Sequence, residues 1–255
     1  MSTAMYTQLA RTRYAASEHT QGPWDPESQH LGPVTALLVH EFGTRPGMEL
    51  SKLSLDVFAP VPVGELEVRT ELLRGGKRVQ CLSAHVTSGG REYVRATAWR
   101  VRTADTPATA ASGPLAPPPE TLERDRDTWL SAGFGYGRAV DWRFSAGGPL
   151  KAGPATAWGR VTVPLVEGEE ITPLERLALF ADSGNGISFA VDHEAYLFVN
   201  VDLSISLFRA PSGEWIGMDS STVIGPSGRG LTRSTLFDQD GEVGAAAQTL
   251  FVAPR

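Results

Sequence analysis

The chain has one cysteine, Cys81, so it can form no internal disulfide and no thiolate cage for a metal. A reducing cytosol is the setting that fits. No segment reaches the roughly 18 apolar residues of a membrane span. Residues 1–14 carry Arg11 and Arg13 but lack the apolar stretch of a signal peptide, so a cytoplasmic protein with no membrane partner is expected. Positive charge is also short: 23 Lys+Arg face 29 Asp+Glu, a net charge of −6, which gives no reason to expect a nucleic-acid partner. There is no Walker loop, dinucleotide fingerprint or paired-histidine metal motif. The nearest approach to a serine nucleophile elbow, Gly225-Pro226-Ser227-Gly228-Arg229, ends in arginine where a glycine is needed. The expectation is chemistry with no cofactor and no metal. What the chain does have is 41% apolar residues over 255 positions, enough to give one large or two small domains a real core.

The elements repeat. Gly32 reads as an N-cap with Pro33 in the first turn, Val34, Leu37, Leu38 and Phe42 fall on one helical stripe, and Gly43 stops the run. Further on, Thr172, Pro173 and Glu175 read as a capping box, Leu174, Leu177, Ala178 and Ala181 form the stripe, and Gly184 is the expected terminator. An alternating strand follows each helix, near Leu53, Leu55 and Val57 and again over 199–207. Three more strands follow in each copy: 65–74, 78–87 and 91–102, then 214–224, 230–238 and 242–252. The turns between them are Gly75-Gly76, Gly89-Gly90, Ser227-Gly228 and Asp240-Gly241. Counted from Gly90 and Gly241, the last strands align so that Thr97 corresponds to Gln248. Five prolines between Pro107 and Pro119 cannot sit inside a sheet and read as a linker. The expected class is α+β: an N-terminal unit over 1–105, a linker over 106–133 and a C-terminal unit over 134–255. Each unit is a helix wrapped by its own antiparallel sheet, the hotdog arrangement twice over.

Gly22-Pro23-Trp24-Asp25-Pro26 with Gln29-His30-Leu31-Gly32-Pro33 resembles the N-terminal signature of TesB-like double-hotdog acyl-CoA thioesterases. The Pro60-Val61-Pro62-Val63-Gly64 turn, Phe180-Ala181-Asp182, Asn200-Val201-Asp202 and Ala247-Gln248-Thr249 extend the resemblance over nearly the whole chain outside the linker. It implies hydrolysis of an acyl thioester carried by CoA or by a carrier protein. It also implies a polar trio, which by position falls on Asp182, Asn200 and Gln248. Asn200 stands where the best-known members carry threonine, and an amide cannot act as a hydroxyl relay. A hotdog dehydratase or hydratase, or a non-catalytic acyl-binding protein, would use the same scaffold.

Thioester hydrolysis needs a positioned water, a base and donors for the oxyanion. Asp182 is expected in the last turn of its helix, and Gln248 has donors and an acceptor enough to hold a water and an acid together. Gly32, at the start of the first helix, is the expected oxyanion and substrate contact, through a backbone N–H at the positive end of the helix dipole. Strict alternation puts Asn200 on one face with Asp202, Ser204 and Ser206, which is the solvated face if the strand is regular. His30 reads as a structural hydrogen bonder, Cys81 as a small core residue, and Trp24, Trp142, Trp158 and Trp215 as core filling. Arg74, Lys77, Arg78, Arg229 and Arg233 near the hairpins are candidates for CoA phosphates. The two sheets are expected to join edge to edge, and any homo-oligomer to form through other surfaces.

Overall fold

The computed structural model describes residues 3–109 and 113–255. Its first unit comprises β1 (Tyr6–Ala10), β2 (Arg13–Ala16), α1 (Leu31–Phe42), β3 (Met48–Val57), β4 (Glu65–Arg74), β5 (Val79–Ser88) and β6 (Arg91–Arg102). Next come β7 (Arg124–Asp125), α2 (Trp129–Ala132) and α3 (Gly135–Arg138). The second unit continues with β8 (Val140–Ala146), β9 (Ala155–Val161), α4 (Pro173–Ala181), α5 (Gly184–Ile187), β10 (Tyr196–Asn200), β11 (Asp202–Leu207), β12 (Ile216–Ile224), β13 (Arg229–Asp238) and β14 (Gly241–Pro254).

All strands belong to one 14-stranded sheet in the order β1-β2-β4-β5-β6-β3-β11-β14-β13-β12-β9-β8-β7, with β10 paired to β14. The two units therefore join through β3 and β11, as expected. Their antiparallel register runs from Asp202 opposite Asp56 to Ser206 opposite Lys52. Its centre is Ser54 opposite Ser204, whose hydroxyls lie 3.3 Å apart. Each edge strand thus satisfies its backbone groups on the other, which removes the two open edges that separate units would present.

The caps explain where the helices begin. α4 has the expected box: the Thr172 hydroxyl accepts from the Glu175 N–H, and Glu175 accepts from the Thr172 N–H at 2.7 Å. α1 starts earlier than Gly32, because the His30 side chain caps it by accepting from the Gly32 N–H at 3.0 Å. The helices pack antiparallel across the midline. Gly32 on α1 lies so close to α4 that a Cβ there would sit 2.4 Å from the Leu179 carbonyl oxygen. At the other end His40 Nδ1 meets Glu175 Oε1 at 3.0 Å. Leu37, Leu38, Leu177, Phe180, Leu53, Leu55, Leu203 and Ile205 are all buried in one core that spans both units.

The segment read as a linker is fastened to the second unit. Trp158 donates its indole N–H to the Pro117 carbonyl at 2.9 Å, and Arg143 donates to the carbonyls of Pro119 and Leu122 at 3.0 Å each. β7 pairs with β8 at the end of the sheet.

Candidate active site

Asp182 is the C-cap of α4 and is only 3% exposed. The dipole of its own helix opposes a negative charge there, but the antiparallel packing sets the N-terminus of α1 against it, which favours one. Its Oδ1 accepts from Asn200 Nδ2 at 3.0 Å and from Gln248 Nε2 at 3.1 Å. Its Oδ2 lies 2.9 Å from His30 Nδ1. Asp182, Asn200, Gln248 and His30 are thus gathered from α4, β10, β14 and the start of α1.

Asn200 reaches the inner face because the strand expected over 199–207 is broken. Asn200 pairs with Leu250 while Ser204 pairs with Ala247, so four steps on one side match three on the other. The extra residue is a bulge at Val201, and it reverses the alternation that would have put Asn200 beside Ser204. The second Asn200 donor contact goes to the Asp202 carbonyl at 3.3 Å.

Gln248 is 1% exposed, and its groups are all engaged with protein. Nε2 also donates to the Asp182 carbonyl at 3.0 Å, and Oε1 accepts from the Asn185 N–H at 3.1 Å. Its position ties the end of α4 and the start of α5 to the sheet. Gly32 is buried against α4, and its N–H is directed at His30. Leu31, one residue earlier, is on the cavity wall.

The sequence reads His30 as a structural hydrogen bonder. It does cap α1, but the same imidazole faces Asp182 and stacks on Tyr136 with ring centres 4.1 Å apart. Tyr136 is fully buried, bonds to the Ser183 hydroxyl at 2.7 Å, and has its phenol pushed up by burial. A signal for His30 was available: a titratable ring at a helix start, two residues before the glycine that lets the second helix approach.

Asp182, Asn200 and His30 open onto a cavity of about 400 Å³ between the units, within the range of small-molecule sites. Residues 22–31 and 57–61 of the first unit form one side; Asp182, Ser183 and β10 form the other. Trp129, Leu130 and Phe134 close a third side from the segment between the units. Phe58 and Val201 are 52% and 44% exposed at one end of this cavity, whereas Leu130 and Phe134 are 2% and 5% exposed at the other, so the mouth lies at Phe58 and Val201. Trp24 packs edge-on against Phe198 there at 4.8 Å, so this tryptophan lines the cavity instead of only filling core.

The residues with numbers 20–101 match the family described as acyl-CoA thioesterase N-terminal domain, and 114–252 match the acyl-CoA thioesterase C-terminal domain. The chain belongs to the acyl-CoA thioesterase family. This thioesterase acts on acyl thioesters by hydrolysis. Among solved structures it is similar to the acyl-CoA thioesterase II TesB2 of Mycobacterium marinum, with 18% identity, 99% and 96% of the two chains covered, and a TM-score of 0.71. A tesB protein of Mycobacterium avium subs paratuberculosis is 15% identical over 98% and 96%, with a TM-score of 0.70. A hot dog fold protein of Alicyclobacillus acidocaldarius is 15% identical over 97% and 95%, with a TM-score of 0.75. No curated protein matches the chain. Among the described residues of the thioesterase, no helix is long and apolar enough to cross a membrane.

Three of the five expected phosphate contacts need correction. Arg74, Lys77 and Arg78 lie at the β4–β5 turn, beside the start of β3, where Met48 pairs with Arg102 and the Arg102 N–H bonds to Arg78. The cavity lies at the other end of β3, at Val57, about 30 Å away at roughly 3.3 Å per residue. Two cations stand over rings of the cavity wall, Arg95 5.4 Å over Phe58 and Arg255 5.2 Å over Trp24.

Proposed function

We propose that this thioesterase cleaves acyl-CoA in the cavity between its two units, with Asp182 and His30 as the proton-handling pair. The observation that supports this is the meeting of a buried carboxylate and an imidazole, 2.9 Å apart, on the wall of an aromatic-lined cavity. Water attacks the thioester carbonyl, its proton passes to the pair, and the pair returns a proton to the departing thiolate, leaving free acid and thiol. Asn200 and Gln248 hold Asp182 Oδ1 through two amide donors, so the carboxylate presents Oδ2 in a fixed direction. Gln248 is a positioning residue in this reading, because its donors and acceptor are turned to protein and not to the cavity. The oxyanion is met by the Leu31 N–H, a first-turn donor with no partner inside its helix. The Gly32 N–H is released from His30 only while Nδ1 carries a proton, since a protonated ring nitrogen cannot accept.

The test is release of free thiol from a panel of short, medium, long and aromatic acyl-CoAs. Hydrolysis that disappears in a folded Asp182→Asn protein supports the reading. Absence of hydrolysis by the unmutated chain across the panel, with or without acyl-CoA binding, refutes it.

A further inference from the structure

The third wall of the cavity comes from the segment that the sequence marks as a linker, and Trp129 occupies its outermost position. Three neighbours fix the indole. Its Nε1–H donates to the Pro149 carbonyl at 2.8 Å, its face stacks on His193 with ring centres 4.7 Å apart, and its edge packs against Phe189 at 6.2 Å. The first two belong to surface loops. The 147–153 loop carries Leu150, 85% exposed, and turns through Gly147, Gly148 and Gly153 at φ of 67°, 136° and 128°, which side chains other than glycine rarely adopt. The Gly153 N–H bonds to the Phe189 carbonyl at 2.9 Å, so the two loops brace each other behind the indole. Beyond Trp129 there is therefore surface loop, whereas beyond Phe134 there is His30 and buried Tyr136.

Resting on the reading that an acyl group enters this cavity with its carbonyl at Asp182 and His30, we propose that Trp129 is the specificity-determining end wall, and that the enzyme is selective for short acyl chains. The distance is bounded by two ring-to-ring steps of 6.3 Å each, from His30 to Phe134 and from Phe134 to Trp129. A carbon keeps about 3.5–4 Å from a ring at either end. An extended chain with C–C bonds of about 1.5 Å advances roughly 1.25 Å per carbon. The run then holds about five carbons at most. A longer chain meets the indole, which cannot swing aside without giving up its bond to Pro149 and its stack on His193.

The experiment measures kcat and KM for straight-chain acyl-CoAs from two to sixteen carbons with the full chain, Trp129→Ala and Trp129→Phe, each with its thermal melt. The unmutated enzyme should lose kcat/KM beyond about six carbons. Each methylene that fits a pocket is worth about tenfold or more, so Trp129→Ala should gain at least about tenfold on twelve carbons, mainly through KM, with little change on four. Trp129→Phe, which keeps a ring but loses the Pro149 bond, should shift the profile partway, and it decides the matter if the alanine variant does not fold. A folded variant with the unmutated length profile overturns the proposal, as does an unmutated enzyme that cleaves sixteen carbons as well as six. Hydrolysis at no length is a different result: it removes the hydrolase reading itself, and this proposal with it.

Discussion

Gly32→Ala should separate catalysis from stability. The added Cβ would lie 2.4 Å from the Leu179 carbonyl oxygen and 3.1 Å from His30 Nδ1. Ordinary contact needs about 3.5 Å, so α1 and α4 must part by about 1 Å. Overpacking of this kind costs about 1–3 kcal/mol, while replacing glycine by alanine in a helix returns up to about 1 kcal/mol. The net loss is then zero to about 3 kcal/mol, which for a chain of this length lowers Tm by at most about 12 °C. Activity should suffer more. Asp182 rides on α4 and His30 on α1, so the same 1 Å opens their 2.9 Å contact, and a misplacement of that size costs about 100-fold in rate. Differential scanning calorimetry and kcat/KM on one acyl-CoA would be measured beside Gly64→Ala, where a Cβ meets nothing within 4 Å and no change is expected. A Gly32→Ala enzyme with full activity and an undiminished Tm would show that the helices do not set the geometry of the pair.

Asp182→Asn keeps the shape of the side chain but removes the carboxylate, and should lower kcat by about 10²–10⁴ with the fold intact by circular dichroism. Gln248→Leu leaves the Asn185 N–H and the Asp182 carboxylate short of a partner, at about 1–3 kcal/mol for each buried group, so its melt should fall more than its KM rises; an unchanged melt would argue against the positioning role. The hydrogen bond to Glu175 raises the His40 pKa above 6.5 against the effect of burial. Burial pushes Glu175 up, but bonds from His40 and Thr172 outweigh it and hold the carboxyl below 4.5. The His40 contribution is therefore complete below about pH 6.5 and is lost as pH rises through its folded pKa, and the Glu175 contribution is lost as pH falls through its own. Tm should decline on both sides of that window, and His40→Gln should flatten the alkaline side; an identical pH profile for the variant would exclude the pair. Expressed separately, residues 1–110 and 130–255 should be insoluble or non-cooperative on heating, since each exposes β3 or β11 as an open edge, and two soluble halves with sharp melts would contradict this.

Much of this arrangement could be read before any coordinates. The capping box at Thr172 and the hairpin glycines are local signals, and local signals place helices and hairpins well. Counting from the hairpin glycines aligns Thr97 with Gln248, but the strand registers correct this by one residue. Ser54 pairs with Thr97 as Ser204 pairs with Ala247, so Ala98 holds the place of Gln248. Asn200 was harder. Alternation assigns it to the solvated face, and the one-residue bulge at Val201 that turns it inward is set by pairing with β14, some fifty residues away. The approach of His30 to Asp182 is not legible, because Asp182 lies on a helix of the other unit and nothing near His30 in sequence announces it. The walls at Trp129, Leu130 and Phe134 escaped for a related reason. The prolines before them mark an irregular chain, and only the anchoring by Arg143 and Trp158 shows that the chain is folded back onto the second unit and into the cavity.

The pairing of Ser54 with Ser204 marks the point about which one half is carried onto the other, and a strictly symmetric pair would own two pockets. Counting from the proline in the first turn of each helix, the place of Asp182 falls in the first half on Phe42, buried at 6% exposure, and the strand registers put the place of Gln248 on buried Ala98. There the helix ends are joined by His40 and Glu175 instead. Two identical chains must mutate both pockets together; a single fused chain need not. In the proposed reading, covalent fusion lets one half keep the chemistry and releases the other for bracing.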